Sequence, residues 1–145
     1  MRMKRAILSF VAMVGVGLLT VVPVRAHHAF AAEFDANRPV KVRGTVTKVE
    51  WTNPHTWFHV DAKGPDGQVE QWMFEGGGPA ALTRRGFTKN YVQLGTEVVV
   101  EGYLSKGVPR RANARSIMYS DGRMMFVGSS GTGAPEDGKD PGDKK

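Results

Sequence analysis

A chain of 145 residues has room for one domain, and its formal charge of +6 and pI near 9.8 point at first sight towards an acidic partner. Four of the 20 basic residues, Arg2, Lys4, Arg5 and Arg25, lie in the first 26 positions with no acid beside them, so the remainder carries 16 basic against 14 acidic residues. With only the short pairs Arg84-Arg85 and Arg110-Arg111 as basic clusters, a nucleic-acid surface is not expected; with no cysteine, disulfides, thiol nucleophiles and zinc–thiolate sites are excluded.

In chain order, the basic start Met1–Arg5 is followed by an uncharged apolar run from Ala6 to Val22. Val24 and Ala26 then occupy the −3 and −1 positions of an export-signal cleavage site, so residues 1–26 are expected to be a signal peptide. The mature chain would begin His27-His28, be periplasmic or secreted, and keep no stable membrane association. The apolar run sits at the lower edge of membrane-spanning length, which leaves retention as an anchor as the alternative.

Val40, Val42 and Val46 alternate with Lys41, Arg43, Thr45 and Thr47, the period of a half-buried strand. Pro54 breaks the chain, after which Thr56, Phe58 and Val60 alternate with His55, Trp57, His59 and Asp61. The cluster Gly64-Pro65-Asp66-Gly67 predicts a turn into a returning strand from Gln68 to Phe74. Gly76-Gly77-Gly78 loosens the chain, Pro79 suits a first helical position before Ala80, Ala81 and Leu82, and Gly86 suits a stop. Strands are expected again over Thr96–Leu104 and Arg111–Tyr119, with Asp121-Gly122 turning into a short last one at Met124–Val127. Five glycines, two prolines and no aromatic residue from Gly128 to Lys145 predict a disordered tail.

Three strands, a short helix, then two strands is the order of a small OB-like antiparallel barrel, here of five to six strands with the short last one, mainly β, spanning residues 27–127. An open β-sandwich fits the same strand count. Val42, Val46, Phe58, Val60, Val98 and Val100 are the expected core. Trp51, Trp57, Phe58, Trp72 and Phe74 include enough rings for a stacking platform, although core filling is the expected role of most.

The four histidines occupy two places: His27-His28 at the expected mature terminus, and Asn53-Pro54-His55-Thr56-Trp57-Phe58-His59. Residues four apart on a strand share a face, so His55 and His59 should lie with Trp57 and Asp61, opposite Thr56, Phe58 and Val60. A terminal histidine chelates a metal through its α-amine and its imidazole together, and a strand histidine supplies a third nitrogen in a brace-like arrangement. Nitrogen-rich tetragonal donors suit copper, while zinc suits several imidazoles tetrahedrally. His27, His28, His55 and His59 are therefore the candidate metal ligands, with Asp61 or Glu75 as carboxylates to orient an imidazole.

Other chemistry has less support. No serine sits in a Gly-x-Ser-x-Gly elbow. Glu70 and Glu75 are an odd number apart on one strand and should face opposite ways. Gly76–Gly78 lacks the lysine and the βαβ setting of a phosphate loop. The expectation is a binding protein rather than an enzyme, with a metal-free binding or assembly module on a periplasmic protein partner as the rival and a copper oxidase behind both.

The segments His27-His28-Ala29-Phe30-Ala31-Ala32-Glu33-Phe34-Asp35, Val49-Glu50-Trp51-Thr52-Asn53-Pro54-His55, Trp72-Met73-Phe74-Glu75 and Ala112-Asn113-Ala114-Arg115-Ser116 carry a likeness. So do Pro79-x-x-Leu82-x-Arg84-Arg85-Gly86-Phe87 and Gly95-x-x-Val98-x-Val100-Glu101-Gly102-Tyr103. Through them the chain resembles a family of small exported bacterial proteins classed as a domain of unknown function. The resemblance implies an exported OB-like β-domain with a His-His terminus, and no activity.

Overall fold

The structure, a computed structural model, describes residues 30–129 and Ala134. The export signal, its cleavage site, His27, His28 and nearly all of the C-terminal stretch read as a tail lie outside the described residues.

The elements run α1 (Phe30–Glu33), β1 (Phe34–Trp51), β2 (Thr56–Lys63), β3 (Val69–Glu75), α2 (Pro79–Arg84), β4 (Glu97–Ser105), β5 (Arg111–Tyr119) and β6 (Met124–Phe126). The strands form one sheet in the order β3-β2-β1-β4-β5-β6, and β3 also pairs with β5. The sheet therefore closes on itself as a ring of five strands, with β6 attached to β5. The mainly-β expectation and the order of three strands, helix and further strands are met. Two features depart from it. The closing seam is parallel, pairing Met73 with Arg111, Phe74 with Ala112 and Glu75 with Asn113. A second short helix, α1, precedes the first strand, which starts at Phe34 rather than near Val40.

Alternation sets the interior. All six expected core residues are buried, and Phe58, Val60 and Val100 are fully enclosed with Phe74, Leu82, Phe87 and Ile117. Each such side chain stabilises the fold by about 1.5–3 kcal/mol. Trp51 stacks on Phe87 at 6.3 Å and Trp72 on Phe74 at 5.9 Å, both half-buried against this core. Trp57 points the other way, onto the outside of the ring.

The turns follow their residues. Gly67 and Gly122 hold φ of 79° and 86°, backbone that favours glycine, in the β2–β3 and β5–β6 hairpins. Gly76–Gly78 has a different cause from the phosphate-loop possibility: the Gly76 N–H donates to Thr56 O and the Gly77 N–H to Val127 O, so both amides are used in chain pairing. A Cβ on Gly78 would meet Pro54 O at 2.8 Å. Close backbone approach is what these glycines permit.

One irregularity shapes the outside of the ring. In the β1–β2 pairing Val46 faces Val60, but Lys48 faces His59 and Val49 faces Phe58, so Thr47 is an extra residue in a bulge. Inward positions are even-numbered before it (Val42, Val46) and odd-numbered after it (Val49, Trp51). Lys48 and Glu50 are thereby turned outward beside β2.

Candidate functional site

The outward residues of β2 and its neighbours make one charged and aromatic face. Register places Glu50 and Glu75 on either side of Trp57, and Lys48 and Met73 on either side of His59. The β3–β5 seam brings Arg111 and Asn113 alongside Met73 and Glu75.

Arg111 is the hub. Its guanidinium donates to Glu33 Oε2 at 2.9 Å and Glu75 Oε2 at 3.1 Å. It also lies over the Trp57 ring at 4.9 Å and the Phe34 ring at 5.6 Å. The Glu75 side chain is 7% exposed, so its carboxylate relies on Arg111 for compensation. Helix α1 brings Glu33 here because Phe30 is buried against Phe34 at 5.7 Å and Tyr103 at 5.5 Å. The Lys106 N–H donates to Glu33 O and the Lys106 ammonium to Ala31 O, pinning the same helix.

The two strand histidines are held from opposite sides. His55 directly precedes β2; its Nδ1–H donates to Gly76 O at 3.2 Å and lies 3.6 Å from Glu75 Oε1. A carbonyl accepts only, so Nδ1 carries a proton, and in the neutral ring the lone pair is on Nε2. Nε2 has no hydrogen-bond partner among the described residues. His59 is reversed: its Nε2 donates to Glu50 Oε1 at 2.8 Å, so in the neutral ring the lone pair is on Nδ1. Glu50 also accepts from Lys48 at 2.7 Å; that hydrogen bond, then the one from His59, holds the Glu50 carboxyl below the usual carboxylate range.

Of the sequence-predicted ligands, His55 and His59 lie on the expected outward side, but they are not brought together. Four residues of extended chain span roughly 13 Å, and each ring is turned towards a different carboxylate. Among the described residues no three of His, Asp and Glu converge as a metal-holding group. Glu75 does flank an imidazole, as expected of it; Asp61 makes no hydrogen bond or ion pair with either histidine. Sequence reasoning missed Glu33, Glu50 and Arg111. Glu50 is outward only because of the bulge, and Arg111 reaches Glu75 only through the parallel seam.

Fold and face together define a small domain of closed β-sheet whose outer surface presents oriented imidazoles around an arginine–carboxylate–tryptophan cluster. The chain belongs to the family of unknown function DUF6152, whose model matches residues 17–113. No curated protein and no solved structure matches it. Among the described residues no helix is long and apolar enough to cross a membrane.

Proposed function

We propose that this protein is an exported, non-enzymatic metal-binding protein that holds copper for storage, delivery or tolerance, with zinc as the competing ion. The observation that carries the reading is the state of His55. Its Nδ1–H is committed to the Gly76 carbonyl beside Glu75, which fixes the ring and leaves Nε2 as a donor. Metal-ligating histidines are oriented in this way by a carbonyl or carboxylate behind them.

One imidazole does not make a copper site, and the remaining donors are assigned to the terminus. His27 supplies its α-amine and imidazole, and His28 completes the shell; His59, held by Glu50 on the β1 side, is left outside it. Phe30, three residues after His27, is buried on the same outer cluster as Glu33 and Arg111. Three residues of chain reach at most about 11 Å, the span that the proposed site has to use. The amine, with an ordinary pKa of about 7.7–8.0, must lose its proton to bind, so affinity falls as pH falls.

The test uses the chain starting at His27, whose intact mass from a periplasmic extract also checks the cleavage site. Cu(II) at a hundredfold excess over Kd stabilises a native-only binder by about 2.7 kcal/mol, read as a raised Tm. His55→Ala, or one extra residue placed before His27, should remove most of that rise. A Tm unmoved by Cu(II), or an equal shift in all three proteins, would overturn the reading. The metal-free module would then lead, favoured by the exposed apolar side chains Val69 (63%) and Met73 (38%) on the outward side of β3.

A further inference from the structure

The second imidazole has a neighbour of a different chemical kind. His59 and Met73 are direct cross-strand partners in the β2–β3 pairing, and both side chains stand on the outside of the ring. Directly opposite residues hold their Cβ atoms about 4.5–5.5 Å apart, close enough for a ring nitrogen and a thioether to share one ion. Met73 is 38% exposed, on the same outward side as Lys48 and Arg111.

The imidazole is already oriented for such use. Its Nε2–H is held by Glu50 on the β1 side at 2.8 Å, and Glu50 is itself anchored by Lys48 at 2.7 Å. The two ring nitrogens diverge in the ring plane, so a ring pinned by Nε2 towards β1 presents the Nδ1 lone pair away from β1. Nδ1 has no hydrogen-bond partner among the described residues. The cation nearest in register on the other side of Met73, Arg111, is occupied with Glu33 and Glu75 and stacked on Trp57. Its charge is therefore largely neutralised where a bound ion would sit.

We propose that His59 Nδ1 and Met73 Sδ form a separate site for a soft monovalent ion, Cu(I), with further coordination positions open to an incoming donor. This rests on the reading that the protein handles copper, and adds a second site selective for the reduced ion. The selectivity follows from the ligands: a thioether is a soft donor that prefers Cu(I), whereas an amine with imidazoles prefers Cu(II). No electron transfer is involved; the ion enters reduced and leaves reduced. The open positions suit hand-over, because a two-donor site releases its ion to a partner offering a third.

Ag(I), a redox-inert stand-in for Cu(I), tests this on the chain starting at His27 with methyl and imidazole NMR. One equivalent should move the Met73 methyl and His59 ring signals while those of Met118, Met124 and Met125 stay in place. Met73→Leu should weaken Ag(I) binding at that site by at least about tenfold, and Glu50→Gln, which removes only the orienting carboxylate, by about tenfold. Neither change should alter the Cu(II)-induced rise in Tm. A Met73 methyl that ignores Ag(I), a response at the Met118–Met124 cross-strand pair instead, or unchanged binding by Met73→Leu would each overturn the proposal. If Cu(II) stabilisation fails while the Met73 response persists, the terminal site is lost and this one stands.

Discussion

Arg111→Met is the substitution that most directly tests how the outer face is built. Methionine keeps much of the apolar stem over Trp57 and leaves the β3–β5 seam, made by backbone atoms, in place. What it removes is the charge between Glu33 and Glu75, at 2.9 and 3.1 Å. Glu33 is 31% exposed at its side chain and regains water readily; Glu75, at 7%, does not. Removing one partner of a buried pair costs about 3–5 kcal/mol, because the other charge is left uncompensated. The lost stacking on Trp57 adds about 0.5–1 kcal/mol. His55, 3.6 Å from Glu75, offers partial compensation, so a loss near the lower figure, about 3 kcal/mol, is expected. Urea unfolding followed by tryptophan fluorescence measures it. Glu75→Gln in the same chain should restore at least about half of the loss, since the stranded charge then disappears. A cost below about 1 kcal/mol, the range of exposed ion pairs, or strict additivity of the two changes, would refute the hub.

Two further outcomes follow from the interior. Phe58 is fully buried and packs edge-on against Phe87 at 5.9 Å; Phe58→Ala should cost about 3–5 kcal/mol in denaturant unfolding, and a loss under about 1 kcal/mol would contradict its place in the core. The Tyr119 hydroxyl is pushed up to about 12, first by burial, and its neutral form donates to Tyr91 O at 3.1 Å. Because the folded value lies above the unfolded one of about 10, its contribution is complete below pH 10 and lost as pH rises towards 12. Tyr119→Phe should flatten that alkaline decline in Tm, and an unchanged profile would exclude this group as its source.

The sequence made most of the fold legible because most of it is local. Alternation marked the strand interiors, and Gly67, Gly86 and Gly122 lie at φ of 79°, 82° and 86°, where the turns and the helix stop were expected. The bulge at Thr47 was hidden, since one extra residue changes the parity of everything after it without altering composition. The parallel seam was hidden too: it joins Glu75 to Asn113 across α2 and β4, and no short-range pattern records such a pairing. Helix α1 is four residues long and is held by Phe30 meeting Tyr103, a tertiary contact rather than a helix signal. Histidine placement was legible as spacing; the partner of each ring depended on register.

Register also decides how the two strand histidines can act. If β1 lacked its bulge, Glu50 would turn inward with the parity of Val42 and Val46, and His59 would lose the carboxylate that orients it. With the bulge, His55 is fixed from the β3 end by Gly76 and Glu75, and His59 from the β1 side by Glu50. Between them stands Trp57, covered by Arg111 at 4.9 Å. Each histidine therefore offers one free nitrogen, and the two free nitrogens are not a pair. A metal at either place must draw its other ligands from elsewhere. For His55 they are proposed to come from His27 and His28; for His59, from the thioether directly across the strand pair. Those different companions, nitrogen donors in one case and a soft thioether in the other, are why we propose two sites that differ in the oxidation state of copper rather than one site with four histidines.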